Sequence, residues 1–441
     1  MSFKKLITLV FNTILLSTFS IASYAATTVT IGTVNNQDMI RMKELSSVFE
    51  RQNPDIKLEW IVLDENILRQ RLTIDIAVKS GRFDLMTIGM YEVPIWGGNN
   101  WLEPMNNLPA SYDINDVFDS VKNGLSANGL LYALPFYGES SMTMYRKDLF
   151  EKAGMTMPAN PTWDFMYEAA SKIHDPKNGI YGACLRGKAG WGENMAFITT
   201  MANSFGARWF DEKWEPQFNT PEWRNALSFY VDLLGNYGPP GASTNGFSEN
   251  LSLMNAGRCG FWVDATVAGS FVTDKNESKV WDKMAFAPAP FKVTQKGSGW
   301  LWAWSLAIPS SSDAKKAAKK FATWATSKEY SELVAKKHGI AAIPPGTRKS
   351  TYENAKYLDE APFAQMTLNQ MSNANPQDST LKPTPYSGIQ FVAIPGFESF
   401  ATTVGQDFSN ALAKKVTLGI ALSTAQNLVR QEMIRQGYIR E

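Results

Sequence analysis

The chain has 441 residues, 43 Lys and Arg against 42 Asp and Glu, and an aromatic share of 12% that includes 14 Trp. So even a charge balance argues against nucleic acid or an anionic membrane surface as the main partner. Only two histidines occur, His174 and His338, and no acidic cluster has calcium-loop spacing, so no metal centre, cofactor or Ser-His-Asp constellation is expected.

Residues 1–25 read as an export signal. Lys4 and Lys5 are followed by an apolar stretch from Leu6 to Ile21, and Ser23-Tyr24-Ala25 supplies small residues for cleavage after about Ala25. No Cys adjoins that point, so no lipid anchor is expected, and no second long apolar run follows. Removing Lys4 and Lys5 takes the 43 basic residues to 41 against the same 42 acidic ones. The mature chain is expected in a periplasm as a monomer. Its length, about 416 residues, exceeds one ordinary core and predicts two domains. In an oxidising compartment, the two cysteines, Cys184 and Cys259, are expected to form a disulfide.

Val29 to Val34 reads as a strand ending in Asn35-Asn36-Gln37-Asp38, which can cap a helix or face a ligand. Met42, Leu45 and Phe49 share a helical face that Asn53-Pro54 terminates. Ile56 to Leu63 is a second strand, Asp64 to Val78 a helix burying Leu68, Leu72 and Ile76, and Asp84 to Ile88 a third strand. This alternation predicts a parallel α/β sheet, whose ligands lie beyond the carboxyl ends of its strands. Those ends are Asn35 to Asp38 and Gly89-Met90-Tyr91-Glu92. Trp96, Gly97, Gly98 and Trp101 mark a turn-rich region, and Asp113 to Lys122 a short helix.

In Leu130 to Tyr145, two apolar strands flank a break at Pro135, Gly138 and Ser140-Ser141. This is either a crossing between domains, with Tyr137 and Glu139 over the cleft, or a buried hairpin with one satisfied Glu. A Gly-rich run from Tyr181 to Asn194 follows, then a helix from Thr220 and Pro221, and a buried strand from Cys259 to Ala265. Phe286 to Trp304 is a second break, giving the first lobe the helix from Asp313 to His338. Ile343-Pro344-Pro345-Gly346 is a third, before a mainly helical remainder.

Gly182 to Ala189 nearly matches a phosphate-binding loop, but Ala189 lacks the hydroxyl that holds magnesium, and an ATP site is rejected. The same run offers Arg186, Trp191, Glu193 and Asn194 to a small polar ligand, or forms a solvated surface loop. Glu92, Glu139 and Asp264 can serve as acid and base for glycoside cleavage or equally as acceptors for hydroxyl groups.

Several stretches together resemble the periplasmic solute-binding proteins of ABC sugar importers, specifically the sorbitol/mannitol-binding type. They include MTIGMYEVPIWG from Met86, PFYGESSMTMYRKDLFEKAG from Pro135, CLRGKAGWGENMAF from Cys184, NYGPPGASTNGF from Asn236, CGFWVDATVA from Cys259 and GWLWAWSLAIP from Gly299. The resemblance implies two α/β lobes of type II-like arrangement joined by three hinge crossings. Residues 26–137 with 301–343 would form one lobe, and 138–300 with 344–441 the other. It further implies enclosure of a sugar alcohol such as sorbitol or mannitol and delivery to a membrane permease. The resemblance implies that Tyr91, Glu92, Glu139, Arg186, Trp191, Asp264, Trp300 and Trp302 face the ligand, and the readings of the strand end and the crossing add Asn35 and Tyr137. A monosaccharide or oligosaccharide ligand, or a periplasmic glycoside hydrolase using Glu139 and Asp264, are the alternatives.

Overall fold

The computed structural model describes residues 26–440; the export-signal reading lies outside them. Two sheets organise the chain. The first contains β1 (Thr27–Val34), β2 (Ile56–Leu63), β3 (Leu85–Ile88), β4 (Ala133–Glu139) and β9 (Trp302–Ala307). The second contains β5 (Ser141–Arg146), β6 (Tyr181–Cys184), β7 (Cys259–Ala265) and β8 (Met284–Pro288).

The first sheet runs in the order β2-β1-β3-β9-β4. β1 pairs in parallel with β2 and β3, whereas β9 pairs antiparallel with β3 and β4. The helices Gln37–Gln52 and Glu65–Val78 are the crossovers between its parallel strands. Both are amphipathic: Met39, Met42, Leu45 and Phe49 in one, and Leu68, Leu72 and Ile76 in the other, are buried. The expected single helix from Asp313 to His338 is two, Lys315–Ala325 and Lys328–His338. The break falls at Ser327, whose hydroxyl accepts the Tyr330 N–H and caps the second helix.

The second sheet runs β8-β5-β7-β6. β5 lies antiparallel to both β8 and β7, and β6 parallel to β7. A disulfide joins Cys184 of β6 to Cys259 of β7.

The two sheets adjoin at one residue. β4 belongs to the first sheet as far as Glu139, and β5 enters the second at Ser141. Ser140 between them is fully buried, and its carbonyl accepts the Thr266 N–H at 2.8 Å. Pro135 and Gly138, expected to interrupt a strand, lie inside β4. The physical reason is position: β4 is an edge strand, and the register with β9 shifts between Trp304 and Ser305, so the missing proline N–H breaks no regular ladder. Gly138 also donates its N–H to the Pro345 carbonyl at 2.8 Å. A Cβ on Gly138 or Gly346 would collide with the other's backbone, so two chain segments pass here without side chains between them.

The remainder after Gly346 is mainly helical, as Phe397–Leu412 and Leu418–Arg435 illustrate, but 374–396 is irregular. That irregular stretch folds back towards the junction of the sheets, where Gln390 donates to the Leu301 carbonyl at 2.8 Å.

Candidate ligand-binding site

A cavity of about 190 Å³ lies between the sheets, with walls drawn from residues 34 to 390. It sits at the carboxyl ends of β1 and β2, where an open α/β sheet places its ligands. Asn35 and Asn36 follow β1. Asn36 accepts the Met39 N–H at 3.0 Å as the cap of the next helix, and its amide donates to the Tyr137 hydroxyl at 3.0 Å.

Strand geometry sets the opposite wall. Tyr137 and Glu139 are two residues apart on β4, so they share a face, and they pair across with Trp304 and Trp302 of β9. All four side chains therefore reach the same cavity. The indoles of Trp302 and Trp304 pack edge to face at 5.6 Å, and Trp191 meets Trp302 at 5.9 Å. Gly89 makes room for this cluster, because a Cβ there would strike the Trp302 ring.

Two arginines line the cavity, and both are paired with neighbouring carboxylates. Arg186 donates to Asp264 through Nε at 2.9 Å and Nη2 at 2.6 Å, and to the Gly192 carbonyl through Nη1 at 2.8 Å. Arg69 donates to Glu65 through Nε at 3.0 Å and Nη2 at 2.9 Å, and its Nη1 bonds Glu92. Its guanidinium also lies 4.1 Å from the Trp191 ring centre and 4.7 Å from that of Trp304. Desolvation opposes both charges, yet Asp264 and Glu193 hold Arg186, and Glu92 and Glu65 hold Arg69, above the ordinary arginine range. Cations already satisfied in this way leave little field for an anionic guest.

Three buried polar atoms of wall residues have no hydrogen-bond partner among the described residues, Glu139 Oε2, Gln390 Oε1 and Trp191 Nε1, and a fourth, Glu193 Oε2, has only the Arg186 guanidinium at 3.5 Å. Burial pushes the Glu139 carboxyl well above its usual range, against the pull of Arg186, and it pushes Glu193 up to about 7. Trp191 Nε1 can only donate and Gln390 Oε1 can only accept, so the set mixes donors with acceptors. Hydroxyl groups, which do both, match it.

Of the residues expected to face a ligand, Asn35, Tyr137, Glu139, Arg186, Trp191, Trp300 and Trp302 line the cavity. Three stand behind its wall. Tyr91 begins the short helix Glu92–Gly98 rather than a loop, and this buries its ring against Trp191 and Phe391 while its hydroxyl donates to the Ile394 carbonyl. Glu92 turns inward in the first helical turn to accept the Gly89 N–H at 3.0 Å and hold Arg69. Asp264 is fully buried beneath Arg186 and also accepts Trp262 Nε1 and the Ala265 N–H. Sequence reasoning missed Arg69, Glu65, Trp304 and Gln390 on the cavity wall, whereas Glu193, offered to a small polar ligand as part of the Gly-rich run, does line it. Arg69 is one position beyond the buried Leu68, a place that reads as helix flank.

The residue set and two-sheet frame define a protein that encloses a small polar molecule between lobes. The chain belongs to the bacterial extracellular solute-binding protein family, whose model matches residues 36–332. Among particular relatives, it is 59% identical over 413 residues to a mannitol-binding protein of Pseudomonas aeruginosa, covering 94% of each chain. It also resembles the crystal structure of an ABC transporter solute-binding protein of Agrobacterium vitis S4 with bound D-mannitol. The TM-score is 0.92 and the identity 57%, covering 93% of this chain and 99% of that one. A ribitol complex of a solute-binding protein from Agrobacterium radiobacter K84, 23% identical, shares the fold with a TM-score of 0.81 across 92% and 98% of the two chains. No helix among the described residues is long and apolar enough to cross a membrane.

Proposed function

We propose that this chain is the periplasmic substrate-binding component of an ABC importer, capturing a hexitol, D-mannitol foremost, by lobe closure and delivering it to a membrane permease. The observation that carries this reading is that three residues of the cavity wall, Glu139, Gln390 and Trp191, hold unpartnered polar atoms, donors and acceptors mixed, while the arginines of that wall are already paired. A linear polyol offers hydroxyls to those atoms and C–H edges to Trp191, Trp302 and Trp304. Micromolar affinity requires about 8 kcal/mol. Several hydrogen bonds at about 1 kcal/mol each, with burial of the carbon chain, supply much of it.

Closure follows from contacts that bridge the sheets. Asn66, at the start of Glu65–Val78, donates to the Ala189 carbonyl at 2.8 Å, and Arg69 packs on Trp191. Ligand contacts available only when these surfaces meet would bias the hinge towards the closed form, which a permease can recognise. The division between lobes that fits this motion follows the sheets, with passages at Ser140, between β8 and β9, and at Ile343 to Gly346. The first lies slightly beyond the 137/138 boundary expected from sequence. A receptor is favoured over a hydrolase because Asp264, one of the two candidate acids, has both oxygens engaged by Arg186 and Trp262.

Isothermal titration of the mature chain with D-mannitol, D-sorbitol, ribitol and maltose tests the reading. Saturable binding of a hexitol at micromolar or lower Kd, with maltose silent, is the expected result. Absence of binding by both hexitols, or release of a cleaved product from a glycoside, overturns it.

A further inference from the structure

The family match ends at residue 332, yet the cavity receives Gln390 from far beyond it. The loop carrying Gln390 is pinned at several points. Asn203 donates to the Ile389 carbonyl at 2.9 Å, the Gly388 N–H to the Pro376 carbonyl at 2.8 Å, and the Ala393 N–H to the Ser387 carbonyl at 2.9 Å. Gly388 sits at φ +132°, and a Cβ there would collide with the Phe391 carbonyl, so the turn demands glycine. Phe391 then packs edge to face against Trp302 at 5.9 Å and Trp191 at 6.4 Å, tying the loop to the indoles of the wall.

The side chain of Gln390 is only 4% exposed, and its orientation is determined by a neighbour. The Leu301 carbonyl, 2.8 Å away, can only accept, so the amide nitrogen must face it. The amide oxygen, Oε1, is thereby turned to the other side, and it has no partner among the described residues.

We propose that Gln390 is a specificity-determining residue that presents a fixed acceptor to one hydroxyl of the bound polyol, an assignment that rests on the hexitol reading above. A guest lacking that hydroxyl leaves Oε1 buried and unpaired, which is how a site built to hydrogen-bond a hydroxyl rejects its deoxy analogue. The selectivity thus comes from a segment outside the part of the chain matched by the family model.

The test pairs ligand and protein changes. Because D-mannitol is two-fold symmetric, a mono-deoxy form could turn end for end and keep the contact, so the 1,6-, 2,5- and 3,4-dideoxy forms are used to remove each kind of hydroxyl in both orientations. Titrations are run on the wild type, Gln390→Leu and the more nearly isosteric Gln390→Met, with thermal unfolding as a check on folding. In the wild type, one deoxy form is expected to bind about tenfold or more weaker than D-mannitol. In either folded variant, D-mannitol itself should bind about tenfold weaker, and that same deoxy form should lose about tenfold less, relative to D-mannitol, than it loses in the wild type. A merely structural role for Gln390 would lower affinity for all ligands in parallel, and that result overturns the assignment. Wild-type D-mannitol affinity in a folded variant also overturns it. Failure of the wild type to bind any hexitol would overturn the hexitol reading, and the Gln390 assignment with it.

Discussion

Arg186 reaches the cavity only because Asp264 grips it from beneath, through Nε at 2.9 Å and Nη2 at 2.6 Å, in a place with no access to solvent for the carboxylate. Removing one member of such a pair leaves the other charge buried and uncompensated. Asp264→Ala should therefore lower unfolding free energy by about 3–5 kcal/mol. A shift of the urea midpoint relative to wild type measures this. Asp264→Asn should be milder in stability but still weaken hexitol binding, because Arg186 would lose its bidentate orientation.

Glu139 offers a second measurement. Burial first, and then the neighbouring Asp264, Glu65 and Asp38 carboxylates, push its carboxyl well above the usual range, although Arg186 opposes them. A carboxyl group accepts hydrogen bonds and, when protonated, also donates one. Glutamine retains both kinds of group and leucine neither. Glu139→Leu should weaken D-mannitol binding by about 10–100-fold, from the loss of one or two buried hydrogen bonds, with Glu139→Gln falling between it and wild type. Calorimetry of the two variants side by side reads the difference.

Glu398, in the first turn of Phe397–Leu412, couples stability to pH. Burial chiefly, then the charge of Glu92, push its carboxyl up to about 7, with Thr73 and Arg69 opposing. Between its ordinary value of 4.5 and about 7, the folded protein holds more protons at this site than the unfolded chain. Its contribution is thus full below 4.5, lost as pH rises through 7, and at most about 3 kcal/mol. Denaturation midpoints taken from pH 4.5 to 8 should decline less steeply in Glu398→Gln than in wild type.

The Cys184–Cys259 bridge closes a loop of 75 residues. Loop-closure entropy of that size is worth about 4 kcal/mol. Replacing both cysteines with serine should lower the unfolding free energy by about that amount, and unreduced wild-type protein should show no alkylatable thiol by mass spectrometry.

Much of the architecture was written in local patterns. The alternation of apolar strands with amphipathic helices across residues 29 to 88 is periodic, and Asn36 caps its helix as its side chain allows. Pro135 misled because a proline reads as a break unless the strand is known to lie at an edge, which only the completed sheet determines. The site was less legible. Trp302 and Glu139 stood out by type, but which of Tyr91, Glu92 and Asp264 faces inward depends on tertiary packing. Arg69 and Gln390 had no signal at all: one looks like the flank of a helix, and the other sits in an irregular stretch with no period to read.

Gln390 adds a contribution to the cavity wall near the distal end of the polypeptide, whereas Asn35 comes from near its start. The cage is completed only when both have found their places, so a fragment clipped ahead of Gln390 would lack part of the wall. The wall thus joins residues far apart along the chain, and swapping a single internal loop between relatives would exchange only part of it.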